Sequence, residues 1–170
     1  ALGLAEGLPD LVDRPGTEAL DRQGPDLHAL VAEFVDHILS LPEDAIVTNG
    51  AGNFTVWPNK FFKFGPKARL LAPQSGAMGY GLPAAVAAKV ACPDRVVVCF
   101  AGDGDFQMNC QELGTAMQAG AQPIVLLLNN GIYGTIRAHQ ERHYPGRVSG
   151  TTMENPDFTM LARAYGYHAE

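Results

Sequence analysis

A strand buried on both faces that runs straight into an acidic glycine turn leaves a chain few folds to adopt. Residues 95–137, RVVVCFAGDGDFQMNCQELGTAMQAGAQPIVLLLNNGIYGTIR, contain one. The apolar run 96–101 is rich in β-branched residues, as parallel strands covered on both sides are. Gly102-Asp103-Gly104 ends it. A helix is expected from near Phe106 to Gly120, capped by Asp105, with Met108, Leu113 and Met117 along an apolar stripe and Gln111 and Glu112 on a polar side. Pro123 opens a second strand over 124–128, and Asn129-Asn130-Gly131 closes it.

That order implies a right-handed βαβ unit, so Asp103 and Asn130 both emerge at the carboxyl edge of one parallel sheet. Ligands of open α/β sheets bind at that edge, where the start of a helix also presents free N–H groups and its positive dipole end. The setting suits an anion, yet no Lys or Arg lies between Arg95 and Arg137, whereas Asp103, Asp105 and Glu112 are negative. A bound phosphate therefore cannot rely on side-chain cations, and a metal ion is the simplest remaining positive charge. A carboxylate, a carboxamide oxygen and a backbone carbonyl beyond Asn130 are hard oxygen ligands of the kind that hold Mg²⁺ against phosphates.

GDG at 102–104, followed after 24 intervening residues by NN at 129–130, resembles the cofactor signature of thiamine-diphosphate-dependent enzymes, in the group of acetolactate synthase, benzoylformate decarboxylase and pyruvate decarboxylase. Either motif alone is an ordinary turn or loop; their spacing and their matching places at strand ends carry the resemblance. It implies Mg²⁺ held by the Asp103 carboxylate, the Asn130 side-chain oxygen and the Ile132 backbone carbonyl, with the diphosphate completing the shell. Gly102, Gly104 and Asp105 would lie against the diphosphate, the last two through backbone N–H groups.

Two further segments extend the resemblance. Pro73-Gln74-Ser75-Gly76-Ala77-Met78-Gly79-Tyr80-Gly81-Leu82-Pro83 leads into an alanine-rich helix through Val90. Composition leaves two readings open: a backbone held close to a flat ligand, or small residues packing a helix onto the sheet with Met78 filling a gap. The stretch also resembles the family's GxMGxGLPAA segment, which implies that Gly76 O and Met78 N bond the aminopyrimidine while the Met78 side chain supports the cofactor's bend. The glycine turn 49–53 invites a dinucleotide reading, but Thr55 stands where the third glycine belongs and no acidic residue follows about 20 positions on. The resemblance gives diphosphate contact to Gly52 and Asn53, although Asn53-Phe54 replaces the Gln-His pair of acetolactate synthase.

Beyond the paired asparagines, Ile136 occupies the position of the catalytic Glu of pyruvate decarboxylase, and His139 that of the pocket-shaping Trp of acetolactate synthase. Both are candidate substrate-pocket residues, and NNGIYGTIR is nearer to benzoylformate decarboxylase. The family's Glu that activates the aminopyrimidine belongs to a pyrimidine-binding domain supplied by a neighbouring subunit, and no residue here matches it. The resemblance thus implies no catalytic residue in this chain and a homodimer or tetramer acting on a small 2-oxo acid.

At 170 residues, with 46% hydrophobic and 18% charged residues, the chain suits one α/β domain with a full core. A net charge of −6 without a basic stripe argues against nucleic-acid binding. Cys92, Cys99 and Cys110 lack metal or redox spacing, and neither a membrane span nor a signal peptide is evident, so a reduced cytoplasmic setting is expected. Residues 1–25, with Gly, Pro and Asp at short intervals, read as a linker or tail; residues 26–170 read as the domain, a fragment of a longer enzyme. Asp26 is a candidate cap for a helix whose face is Leu27, Leu30, Val31, Phe34, Ile38 and Leu41, on which His28 and His37 are surface residues. Strands are expected at 45–48 and 68–72, and helices over 133–142 and 158–165, the last capped by Asp157 or Asn155.

The expected architecture is a three-layer α/β sandwich around a mostly parallel sheet, the thiamine-diphosphate-binding fold. The expected function is the diphosphate-side domain of a Mg²⁺-dependent 2-oxo-acid decarboxylase or carboligase. The alternative is a non-catalytic, Mg²⁺-dependent nucleotide- or phosphate-binding module.

Overall fold

The strand run that opens at Val97 is the centre of the molecule. In a computed structural model, which describes residues 2–6 and 27–170, Val97–Gly102 forms strand β4 of a five-stranded, all-parallel sheet. The other strands are β1 (Leu2–Glu6), β2 (Ile46–Asn49), β3 (Arg69–Leu71) and β5 (Ile124–Asn129), in the spatial order β1-β5-β4-β2-β3. Strand β1 falls inside the stretch expected as a linker and pairs with β5 from Leu2↔Val125 to Glu6↔Asn129. Residues 7–26, including the candidate cap Asp26, lie outside the described residues.

Alternation along β4 divides the core in two, because successive side chains point to opposite faces. Val97, Cys99 and Ala101 pack with α3 (Gly81–Ala91), with Phe106 of α4 (Asp103–Gln107), and with α5 (Glu112–Gln118) and α7 (Phe158–Ala164). Val98 and Phe100 pack with Phe34 and Ile38 of α1 (Leu27–Leu39) and with Trp57 and Phe61 of α2 (Val56–Phe61). The result is the expected three-layer α/β sandwich. Burial pushes the Cys99 thiol up to about 12, which makes it a packing group and not a nucleophile.

The long helix expected after the glycine turn is two shorter ones. Helix α4 begins at Asp103 with Gly102 as its N-cap, so Asp105 is its third residue and not its cap. The break falls at 108–111, where Asn109 sends its side-chain Nδ2 to Gly79 O at 2.7 Å. That tertiary hydrogen bond and the local turns around it replace helical continuity. Of the expected stripe only Leu113 is buried; Met108 and Met117 are half exposed, and Phe106 and Ala116 take their places in the core. The last helix keeps an expected cap: Asp157 Oδ1 accepts from Met160 N at 2.8 Å.

Sheet order also locates the crevice. Chain leaving β2 goes through α2 to β3 on one side, and chain leaving β4 goes through α4 and α5 to β5 on the other. Between the carboxyl ends of adjacent β2 and β4 the connections diverge, which is the switch point where open α/β sheets bind ligands.

Phe100 is fully buried and meets the Phe34 ring edge-on at 6.1 Å. Phe100→Ala is expected to lower the unfolding free energy by about 3–5 kcal/mol. The exposed Met160→Ala should stay within about 0.5 kcal/mol of wild type; urea denaturation of both variants measures the contrast.

Candidate functional site

Asp103 and Asp105 leave the end of β4 with only 3% of their surface exposed each. Carboxylates so deeply buried must be hydrogen-bonded, and these two are tied to different parts of the chain. Asp103 Oδ1 accepts from Gly104 N at 3.0 Å, and its Oδ2 accepts from Gly131 N at 2.8 Å and from Asn155 Nδ2 at 2.6 Å. Asp105 Oδ1 accepts from Gly79 N at 2.7 Å, and Ala51 N also donates to this carboxylate. Its oxygen lies where a side chain on Gly50 would begin, 1.7 Å from an ideal Cβ, so only glycine fits there. Gly79 adopts φ 81°, a conformation that favours glycine, and its two backbone groups are held by Asp105 and Asn109.

Around these ties lies a cavity of about 550 Å³. Gly52, Asn53, Met78, Gly102, Asp103, Gly104, Asp105, Asn130 and Ile132 all line it, as does Ile136 at its rim. Gly76, in a turn at φ 67°, and His139 are not among its lining residues; His139 is exposed on α6 (Gly134–His143) with its ring stacked on His143 at 6.3 Å. Of the two readings of the Met78 segment, helix packing onto the sheet holds for its later part. Leu82, Ala85 and Val86 pack against the sheet, while Met78 faces the cavity.

The donor set suits a hard dication on the chemistry of its oxygens. An ionised carboxylate has about four acceptor positions, and Asp103 uses three. Asn130 Oδ1 accepts one bond, from Ile132 N at 3.2 Å, and Ile132 O accepts one, from Gly134 N at 2.9 Å. Each of the three groups therefore retains a lone pair. Among the described residues no three His, Cys, Asp or Glu gather into a cluster, so a metal here would take mixed oxygen ligands. Asn53 Oδ1 accepts from Thr135 Oγ1 at 3.1 Å, joining the β2 exit to the start of α6.

Three features escaped the sequence. Lys60 also lines the cavity, its Nζ 5.4 Å from the Phe61 ring centroid, so the expectation of no side-chain cation is corrected. It arises because the cavity draws on α2 as well as on residues 95–137. The wall formed by α2 and the turn before it is apolar, with Phe54, Val56, Trp57 and Phe61. Asn155 is no helix cap: its amide bridges Asp103 to Asn129 Oδ1, also at 2.6 Å. No local signal could have revealed that contact, since 52 residues separate Asn155 from Asp103.

These features define a cofactor-binding α/β domain, and comparison with known proteins supplies the family. The family model described as thiamine pyrophosphate enzyme, C-terminal TPP binding domain, matches residues 50–170. The chain belongs to that family. It is similar to the acetolactate synthase of Arthrospira platensis, 44% identical over 128 residues, which are 74% of this chain and 22% of the relative. Similar too are the acetolactate synthase large subunit of Parasynechococcus marenigrum (strain WH8102), 43% identical over 76% of this chain and 21% of the relative, and the isozyme 2 large subunit of Escherichia coli (strain K12), 41% identical over 76% and 24%. The chain spans about a fifth of the length of the relatives it matches. No helix among the described residues is long and apolar enough to cross a membrane.

Burial raises the Asp105 carboxyl from 3.8 to about 6, against the lowering effect of the Gly79 and Ala51 N–H groups. The folded protein then holds a proton that the unfolded chain has already released, so stability falls as pH rises from 3.8 to about 6. Asp105→Asn is expected to flatten that decline in urea titrations across the window. An equal decline in the variant would assign it to another group.

Proposed function

We propose that this chain is the diphosphate-binding domain of a thiamine-diphosphate- and Mg²⁺-dependent enzyme that decarboxylates or joins small 2-oxo acids. One observation carries the reading: Met78, the pair Asp103 and Gly104, and the pair Asn130 and Ile132, three separate stretches of sequence, line a single cavity at the switch point of the sheet. Asp103, Asn130 and Ile132 would hold Mg²⁺. Gly52, Asn53, Gly102, Gly104 and Asp105 would bind the diphosphate, and Gly76 and Met78 the aminopyrimidine side. When bound, the cofactor supplies an electron sink for loss of CO₂ from the keto acid. The chain's own residues would bind and orient it, and Val56, Trp57 and Ile136 give the same cavity an apolar lining.

Membership of the family, and the acetolactate synthase names of its relatives, favour carboligation. The activating Glu would come from a pyrimidine-binding domain of a neighbouring subunit in a homodimer or tetramer, so this chain alone would have no turnover. Free Cys92, Cys99 and Cys110 suit a reducing, cytoplasmic compartment.

Calorimetric titration with thiamine diphosphate, with and without Mg²⁺, tests the reading. Metal-dependent binding that Asp103→Ala abolishes is the expected result. Binding of mononucleotides with Mg²⁺, and indifference to thiamine diphosphate even with the pyrimidine-binding domain present, would replace the reading by a nucleotide-binding module.

A further inference from the structure

Asn155 occupies a place that neither a helix cap nor loop packing requires. It stands in the segment before α7, yet its side chain reaches the ends of both central strands. Its Nδ2 is 2.6 Å from Asp103 Oδ2 at the end of β4 and 2.6 Å from Asn129 Oδ1 at the end of β5. An amide nitrogen carries two hydrogens, and each has one acceptor. The Asp103 carboxylate only accepts, so it fixes the NH₂ end of Asn155 toward itself. Gln107 Nε2 donates to Asn155 Oδ1 at 2.9 Å and ties down the other end of the amide.

Asn155 and Gly131 N both donate to Oδ2 of Asp103, whereas Oδ1 receives only the short-range contact from Gly104 N. Two donors on one oxygen fix the carboxylate plane and leave the other oxygen as the more open position. Asn129 and Asn130, adjacent in sequence, thereby divide their work: Asn129 is tied inward to Asn155, while Asn130 turns its oxygen back to Ile132 N at the cavity wall. We infer that Asn155, held by Gln107, is a positioning residue that orients the Asp103 carboxylate for a divalent cation. The inference rests on the metal role proposed for Asp103 above and adds a residue to that site. Partners of a metal-binding carboxylate that make no contact with the metal typically change metal affinity 10–100-fold when removed.

The test is a Mg²⁺ titration of thiamine diphosphate binding, followed calorimetrically, in the full-length protein as wild type, Asn155→Ala and Gln107→Ala. Asn155→Ala is expected to raise the half-saturating Mg²⁺ concentration about 10–100-fold, with cofactor affinity at saturating Mg²⁺ close to wild type. Gln107→Ala should shift it the same way by a smaller factor. A residue that merely braces the loop would lower the thermal midpoint of the metal-free protein and leave the Mg²⁺ titration unmoved; that outcome overturns the inference while the cofactor reading stands. Should Asn155→Ala fail to fold, the exposed Gln107 decides, and an unshifted titration of that variant overturns the inference. A wild-type protein that binds thiamine diphosphate equally well without Mg²⁺ overturns the inference together with the metal role of Asp103.

Discussion

Keeping the Asp103 carboxylate hydrogen-bonded while it is almost wholly removed from water is the constraint on which the rest of this structure depends. A buried carboxylate without partners costs several kcal/mol, so donors must be brought to it. They come from three places: its own turn through Gly104, the β5 exit through Gly131, and the loop before α7 through Asn155. Each donor draws a different stretch of chain to the carboxyl edge of β4. The antiparallel bridge of Ile132 with Thr152 and the bond from Met153 N to Gly131 O hold the later loop there.

Asp105 does the same on the other side of the crevice. Its carboxylate is bound by Gly79 and Ala51, so the β2 exit and the Met78 loop are fastened to the turn that carries Asp103. Two acidic residues in one glycine turn thus organise opposite halves of the cavity. The turn needs glycine at 102 and 104 because rings crowd it: a Cβ at Gly104 would meet the Tyr133 ring at 2.4 Å and one at Gly102 the Phe54 ring at 2.9 Å. The cavity is a product of close approach between loops, and that approach is possible only where side chains are missing.

Hydrophobic patterning showed the parallel strands, the helices and the layered architecture, because burial on two faces leaves uninterrupted apolar runs such as 96–101. It failed where a polar side chain had a distant partner. Asn109 interrupts the helix expected over 106–120 in order to bond Gly79, and Asp105 leaves the capping position for the same loop. Asn155 was visible only as one of two candidate caps; Asp157 took that task and left Asn155 to reach across the sheet edge. Strand β1 went unseen for a related reason, since its residues carry no sustained periodicity and its place is given by pairing with β5.

By itself, the sequence determined the parallel α/β core and the placement of the GDG and NN motifs at the ends of adjacent strands, because uninterrupted apolar runs lead into both. The tertiary structure alone decided which side chains meet: Lys60 and the aromatic wall of α2 in the same cavity as Asp103, His139 outside it, and Asn155 against the carboxylate. Hydrogen bonds between residues 26 to 52 positions apart leave no periodic trace along the chain. They exist only once the sheet has brought those positions to one edge.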